Sequence, residues 1–151
     1  ISLLWYNPTA GSNLGGWSNA AYKNVPFNKI RVASKGAANW FTEGETQIAL
    51  PAGTYYFTTN YGSYNIHVNN ISVWNLSNNN EVLTEGIGSL NEGYTKSGAQ
   101  GWNPGVFVLN VDSIVEVRWY AHEGGLGYVP RVVNYGGLLE MACTCSFVKL
   151  L

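Results

Sequence analysis

Glu140-Met141-Ala142-Cys143-Thr144-Cys145-Ser146-Phe147-Val148-Lys149-Leu150-Leu151 alternates large apolar and small residues at period two, the signature of a β-strand. Met141, Cys143, Cys145 and Phe147 point one way; Ala142, Thr144, Ser146 and Val148 point the other. A solvated face would carry charge or long polar groups, yet the second face is small and nearly uncharged, so both faces are expected to be covered. A final strand sealed on both sides implies that the chain ends inside an assembly.

Composition agrees with an all-β domain. Among 151 residues are eighteen Gly, ten Tyr and six Trp, and 11% are charged. That size fits one domain with a sizeable core, and the aromatic and Gly content fits strands joined by turns. Net charge is −1, with Lys and Arg scattered, which argues against a nucleic-acid partner. No signal peptide and no long apolar run is present, so membrane insertion is not expected. Ile1 in place of an initiator Met implies a fragment or processed product.

Working backward from the last strand, similar signals recur at Asn28–Ala33, Thr46–Leu50, Thr54–Asn60, Asn65–Leu76, Glu81–Thr84, Val106–Val111, Ser113–His122 and Tyr128–Val133. Pro51-Ala52-Gly53 and Ser77-Asn78-Asn79-Asn80 are turn chemistry. Gly86–Pro104 reads as a long Gly-rich loop, and no amphipathic helical period survives more than about two turns. Eight to ten short strands with turns between them predict a sandwich or jelly roll. Residues 1–21 lack periodicity and read as an extended lead-in from a preceding segment, leaving 22–151 as the head domain.

Chemistry-bearing constellations are missing. Cys143 and Cys145, two apart on a strand, lie side by side and read as reduced core residues rather than as a disulfide or half of a zinc site. His67 reads as a packed histidine, and His122, beside Glu123, as a titratable one. With one Asp, a carboxylate-rich calcium cage is not expected, nor is a glycosidase pair, a nucleophile elbow or a phosphate-binding loop. Neither metal nor cofactor is called for. The sequons Asn70-Ile71-Ser72 and Asn75-Leu76-Ser77 carry little weight at that length. What remains is a supply of loop aromatics and asparagines, whose ring faces and amides suit hydroxyl-rich ligands.

In order and spacing, a set of short motifs resembles one family. Val25-Pro26-Phe27-Asn28 opens it; Leu50-Pro51-Ala52-Gly53-Thr54-Tyr55, Val73-Trp74-Asn75 and Glu81-Val82-Leu83 follow. Gly105-Val106-Phe107-Val108-Leu109, Val115-Glu116-Val117, Gly125-Leu126-Gly127 and Phe147-Val148-Lys149-Leu150 complete it. Over residues 22–151 the chain resembles the complement-one-q globular-head and tumour-necrosis-factor-like jelly roll, most of all the versions at bacteriophage tail-fibre tips. Ala142 departs from the aromatic usual after the Glu. The resemblance implies a two-sheet antiparallel jelly roll of about ten strands, assembled as a homotrimer. It implies an inner sheet holding the first strand, the last strand, Asn65–Leu76 and Ser113–His122. Val115, Val117, Trp119 and Ala121 then face the core. The trimer seam takes Ser72, Trp74, Glu116, Arg118, Tyr120, His122, Ala142, Thr144, Ser146 and Val148, with Glu116 and Arg118 paired because unpaired burial is costly.

The function this implies is non-enzymatic: a trimeric head of a phage tail fibre or spike that binds a host cell-surface glycan or protein, in the virion tail or as a secreted particle. A structural trimerisation cap, a carbohydrate-binding module attached to an enzyme and an animal complement-like head are the alternatives. Counting strands from the end puts the turns Ser77–Asn80, Asn110–Ser113 and Asn134–Gly137 away from the termini. Asn78, Asn79, Asn80, Asn134 and Tyr135 are therefore the first candidate ligand site, and Tyr94 and Trp102 on the long loop are a lateral second.

Overall fold

Period-two alternation of buried and exposed residues is the local rule in the computed structural model of this chain. It describes residues 1–7, 16–17, 21–64, 68–84, 89–90, 98–122, 127–128 and 140–150, with side chains over 1–3, 22, 24–60, 70–84, 104–120 and 143–150. In chain order the strands are β1 (Ser2–Asn7), β2 (Gly16–Trp17), β3 (Ala21–Asn24), β4 (Lys29–Val32), β5 (Gln47–Leu50), β6 (Gly53–Tyr64) and β7 (Val68–Asn75). Then come β8 (Glu81–Thr84), β9 (Ser89–Leu90), β10 (Gly98–Leu109), β11 (Ser113–His122), β12 (Gly127–Tyr128) and β13 (Glu140–Lys149).

Two antiparallel sheets result. The first runs β2-β12-β6-β13-β1-β4, with β10 also on β6; the second runs β3-β11-β7-β8, with β5 on β11 and β9 on β7. Every second residue of the central strands enters one core. Leu3, Phe57, Phe107, Cys145 and Phe147 from the first sheet join Ile71, Val73, Val115, Val117 and Trp119 from the second. Each large side chain fully buried there contributes about 1.5–3 kcal/mol by leaving water. The aromatic part is tightly ordered: Phe57 and Phe147 rings lie 5.0 Å apart, and Tyr55 stacks on Phe107 at 5.5 Å.

The strand pattern follows the sequence closely at Lys29–Val32, Gln47–Leu50, Glu81–Thr84 and Ser113–His122, and the all-β sandwich is the observed fold class. Val115, Val117 and Trp119 face the core as expected, and so do both cysteines. Four expectations are corrected. Ser2–Asn7 is no lead-in: β1 lies between β13 and β4, with Ser2 opposite Ser146 and Val32. That pairing spans most of the chain, so nothing local announces it. Gly98–Pro104 is no loop: it lengthens β10 opposite Tyr64–Thr58. Gly and Pro there imitate a loop, but among the described residues β10 pairs with β6 alone, and an edge strand tolerates Pro.

The third correction is sheet membership. β13 neighbours β1 and β6, whereas β7 and β11 belong to the other sheet. Low charge marks a covered strand but does not say which sheet covers it. Fourth, Ser77–Asn80 and Asn110–Ser113 lie at the same end as the chain termini. Leu150 N donates to Thr54 O at 2.8 Å, Gly53 stands opposite Leu109, Ala52 N donates to Asp112 Oδ1 at 2.8 Å, and Ile114 N donates to Ser77 Oγ at 2.9 Å. The strand count gives Tyr128–Val133 a full crossing of the sandwich; Tyr128, its described residue, ends the two-residue β12 opposite Tyr64.

Candidate functional site

The outward face of the second sheet carries a grid across β7, β11 and β3. Asn70 stands opposite Tyr120, and Tyr120 opposite Tyr22; Ser72 opposite Arg118, and Arg118 opposite Asn24; Trp74 opposite Glu116. Because Ile71, Val73, Val115, Val117 and Trp119 point inward, the pleat sends this set outward.

The grid is internally braced. Arg118 donates from Nε and Nη2 to Glu116 Oε2 at 3.2 and 3.0 Å, and from Nη2 to Asn80 Oδ1 at 3.3 Å. Asn24 Nδ2 donates to Glu116 Oε1 at 3.1 Å, and the Thr46 hydroxyl reaches the same oxygen at 3.4 Å. The guanidinium lies 4.6 Å from the centroid of Trp74, a cation–π distance. Trp74 Nε1 donates to Ser72 Oγ at 2.7 Å. The Tyr22 ring packs against Trp74 at 5.3 Å and Tyr120 at 5.1 Å. Glu116 is 4% exposed and Tyr22 44%, so a buried carboxylate, neutralised by the half-buried Arg118, lies beside an accessible aromatic surface. Asn70 Oδ1 is buried with no hydrogen-bond partner among the described residues.

The outward face of the first sheet has another character. β1, β6 and β10 carry no charged residue, and the two on β13, Glu140 and Lys149, stand at its ends. Val106, Val108 and Val148 are 61%, 57% and 50% exposed. Val106 and Val148 both stand opposite Tyr56, and Ser2, Ser146, Thr58 and Pro104 form the next cross-strand row. At the terminal end a cleft of about 630 Å³ adjoins this face, between Val32, Trp40, Pro51 and Val148.

Thiol chemistry is suppressed. Both cysteines are free and buried. Burial pushes the Cys143 thiol up to about 12, against the opposing pull of its hydrogen bond with Thr59, and pushes Cys145 well above the ordinary thiol range. Among the described residues no group of three or more His, Cys, Asp or Glu could hold a metal ion, and no helix is long and apolar enough to cross a membrane.

The residues expected at the trimer seam therefore divide. Ser72, Trp74, Glu116, Arg118 and Tyr120 face outward from the second sheet, and Thr144, Ser146 and Val148 outward from the first, so the two groups lie on opposite sides of the core. The backbones of His122 and Ala142 lie on β11 and β13; their side chains fall outside the described residues. Of the expected ligand residues, Asn78, Asn79 and Asn80 form the turn between β7 and β8, with Asn79 and Asn80 at φ 55° and 59°. Asn78 Nδ2 donates to Glu81 Oε2 at 2.6 Å, and Asn80 joins the Arg118 grid. Trp102 lies on β10 opposite Asn60, its side chain outside the described set; Tyr94, Asn134 and Tyr135 fall outside it altogether, as does His67. Tyr22, Asn24 and Asn70 escaped the sequence reading. Tyr22 adjoins a segment that lacks periodicity, and Asn70 stands out in the sequence only as part of a sequon. The second sequon is closed by the fold: Asn75 is 5% exposed and its side chain accepts from Ser77 N at 3.1 Å.

No protein-family model matches the chain, and no curated protein matches it. Among solved structures, the chain is similar to the globular domain of zebrafish complement 1qA protein, with a TM-score of 0.60 and 12% identity over 99% of this chain and 95% of that one. At that identity the likeness carries the fold alone: a two-sheet, complement-1q-like jelly roll.

Proposed function

We propose that this chain is a non-enzymatic binding head that assembles as a homotrimer through the outward face of its first sheet. The observation that carries this reading is the field of exposed valines on that face, Val106, Val108 and Val148, in strands whose only charges stand at the ends of β13. Such a surface is poorly hydrated, and contiguous apolar patches of this kind mark interaction sites. Among the described residues the other face pairs Arg118 with Glu116 within the chain, so that pair asks for no partner copy. Three-fold assembly is what the jelly-roll resemblance implies, and three copies of a weak site give useful avidity.

The resemblance to bacteriophage fibre tips extends the proposal to a tail-fibre or spike head that attaches a virion to a host surface glycan or protein. The braced aromatic surface of the second sheet supports a recognition role over that of a plain structural cap. Native mass spectrometry and light scattering of the chain test the assembly: a trimeric mass at micromolar concentration supports it, and a stable monomer overturns it.

A further inference from the structure

We infer that the second sheet's outward face, centred on Tyr22, Trp74, Arg118 and Tyr120, binds a neutral saccharide; this rests on the reading of the chain as a binding head and names its site. Tyr22 is 44% exposed and its ring is held by rings on two sides, Trp74 at 5.3 Å and Tyr120 at 5.1 Å. A pyranose presents a flat, weakly polar C–H face to such a ring, which offers rigid contact area at little entropic cost. Polar groups surround the rings as a ring of hydroxyls requires. Asn24 and Asn80 supply amides at the two sides of Arg118. Asn70 Oδ1, on the residue paired with Tyr120, is a buried acceptor with no donor among the described residues; rotation of its amide toward the surface presents it to a ligand hydroxyl.

Charge decides the class. Among the described residues Arg118 is the cation of the site, and two of its nitrogens are engaged by Glu116, itself 4% exposed. An anionic sugar docking on Arg118 meets that carboxylate within the same few ångströms, so the surface has no net positive field with which to hold it. The match is to uncharged hydroxyls.

The test is an array of neutral, sialylated and sulfated oligosaccharides probed with the parent chain, followed by titration of the best neutral glycan into parent, Tyr22→Ala and Tyr22→Phe proteins. Tyr22 is exposed enough for both variants to fold, which melting curves check. We expect neutral glycans to bind, Tyr22→Phe to keep affinity, and Tyr22→Ala to lose about tenfold. Binding by anionic glycans alone, neutral binding indifferent to Tyr22→Ala, or no glycan binding at all overturns the assignment; capture of a protein partner through these rings overturns it too. A change of oligomeric mass in Tyr22→Ala assigns the face to self-contact and also overturns it. A parent that proves monomeric refutes the trimer alone, since the titration reads the site in either state.

Discussion

Val106→Arg is the sharpest probe of how this domain assembles. Val106, Val108 and Val148 are 61%, 57% and 50% exposed in the single chain, and Val106 and Val148 flank Tyr56 in one cross-strand row. Burying the exposed part of each valine is worth about 1 kcal/mol, so a protomer gains about 3 kcal/mol from the three and a trimer about 9. Arg at position 106 removes one valine from each copy, about 3 kcal/mol per trimer, and brings three like charges to an interface with no carboxylate in its centre. Desolvating each guanidinium adds several kcal/mol, so the assembly constant falls by more than about a millionfold. Sedimentation velocity at micromolar concentration should then find folded monomers. Val111→Arg is the control: Val111 is 66% exposed, but it sits on the β10–β11 turn and not on the sheet face, so its variant should stay trimeric. A Val106→Arg trimer as stable as the parent would refute the assignment of this face, and disruption by Val111→Arg alone would move the contact to the terminal end.

Four further outcomes follow from the fold itself. Gly105→Ala places a methyl 2.7 Å from Thr84 Cγ2, so denaturant unfolding should register a loss of about 1–3 kcal/mol, partly recovered by adding Thr84→Ala; full tolerance of Gly105→Ala would contradict the close approach of β10 and β8. The thiols of Cys143 and Cys145 should react only as fast as the protein unfolds, and two should titrate in denaturant. Because burial raises Cys143 and Tyr55 to about 12, the folded state holds their protons longer than the unfolded chain. The stability they contribute is complete below the unfolded values and is lost as pH rises toward 12, which a falling denaturant midpoint above about pH 9 checks. Glu116→Ala leaves Arg118 without its anion and Asn24 without its acceptor, at a cost of about 2 kcal/mol; an unchanged melting curve would mean that the pair is dispensable to the fold.

The parts of the fold legible in the sequence are those encoded within one strand. Period two places Cys143 and Cys145 on one face, and the resemblance turns Val115, Val117 and Trp119 inward; the pairing of Glu116 with Arg118, expected at a seam between copies, is seen within one chain at 3.0 Å. What escaped depends on partners distant in sequence. Ser2 finds Ser146 across nearly the whole chain, and no local cue distinguishes that strand from an extended lead-in. Gly98–Pro104 has loop composition but pairs along β6 because an edge strand need satisfy only one side. The site was half visible: Trp74, Arg118, Tyr120 and Asn80 were singled out, but for two different roles, because nothing in the sequence says that a turn residue and three strand residues share one surface. Tyr22 and Asn24 complete that surface through pairing with β11, a long-range fact.

The division of the expected seam into two faces follows from two ways in which a strand can be poor in net charge. In the middle of the first sheet the charge is absent, since β1, β6 and β10 contain none and Lys29 and Arg31 stand on the edge strand β4, and that part of the face gains only by meeting apolar surface. On the second sheet the charge is present and cancelled in place: Glu116 accepts from Arg118, Asn24 and Thr46, so its burial is compensated without a neighbour. A sequence reading that counts charge cannot separate these cases, because both leave a strand with little net field. Hydrogen-bond accounting can. The first face has exposed methyl groups whose burial requires another molecule, and the second has rings and amides already held at fixed distances from one another. Preorganisation of that kind lowers the entropic cost of binding a ligand, whereas it contributes little to an interface formed by flat aliphatic contact. Assembly on the first face and recognition on the second is the arrangement in which each surface does what its chemistry favours.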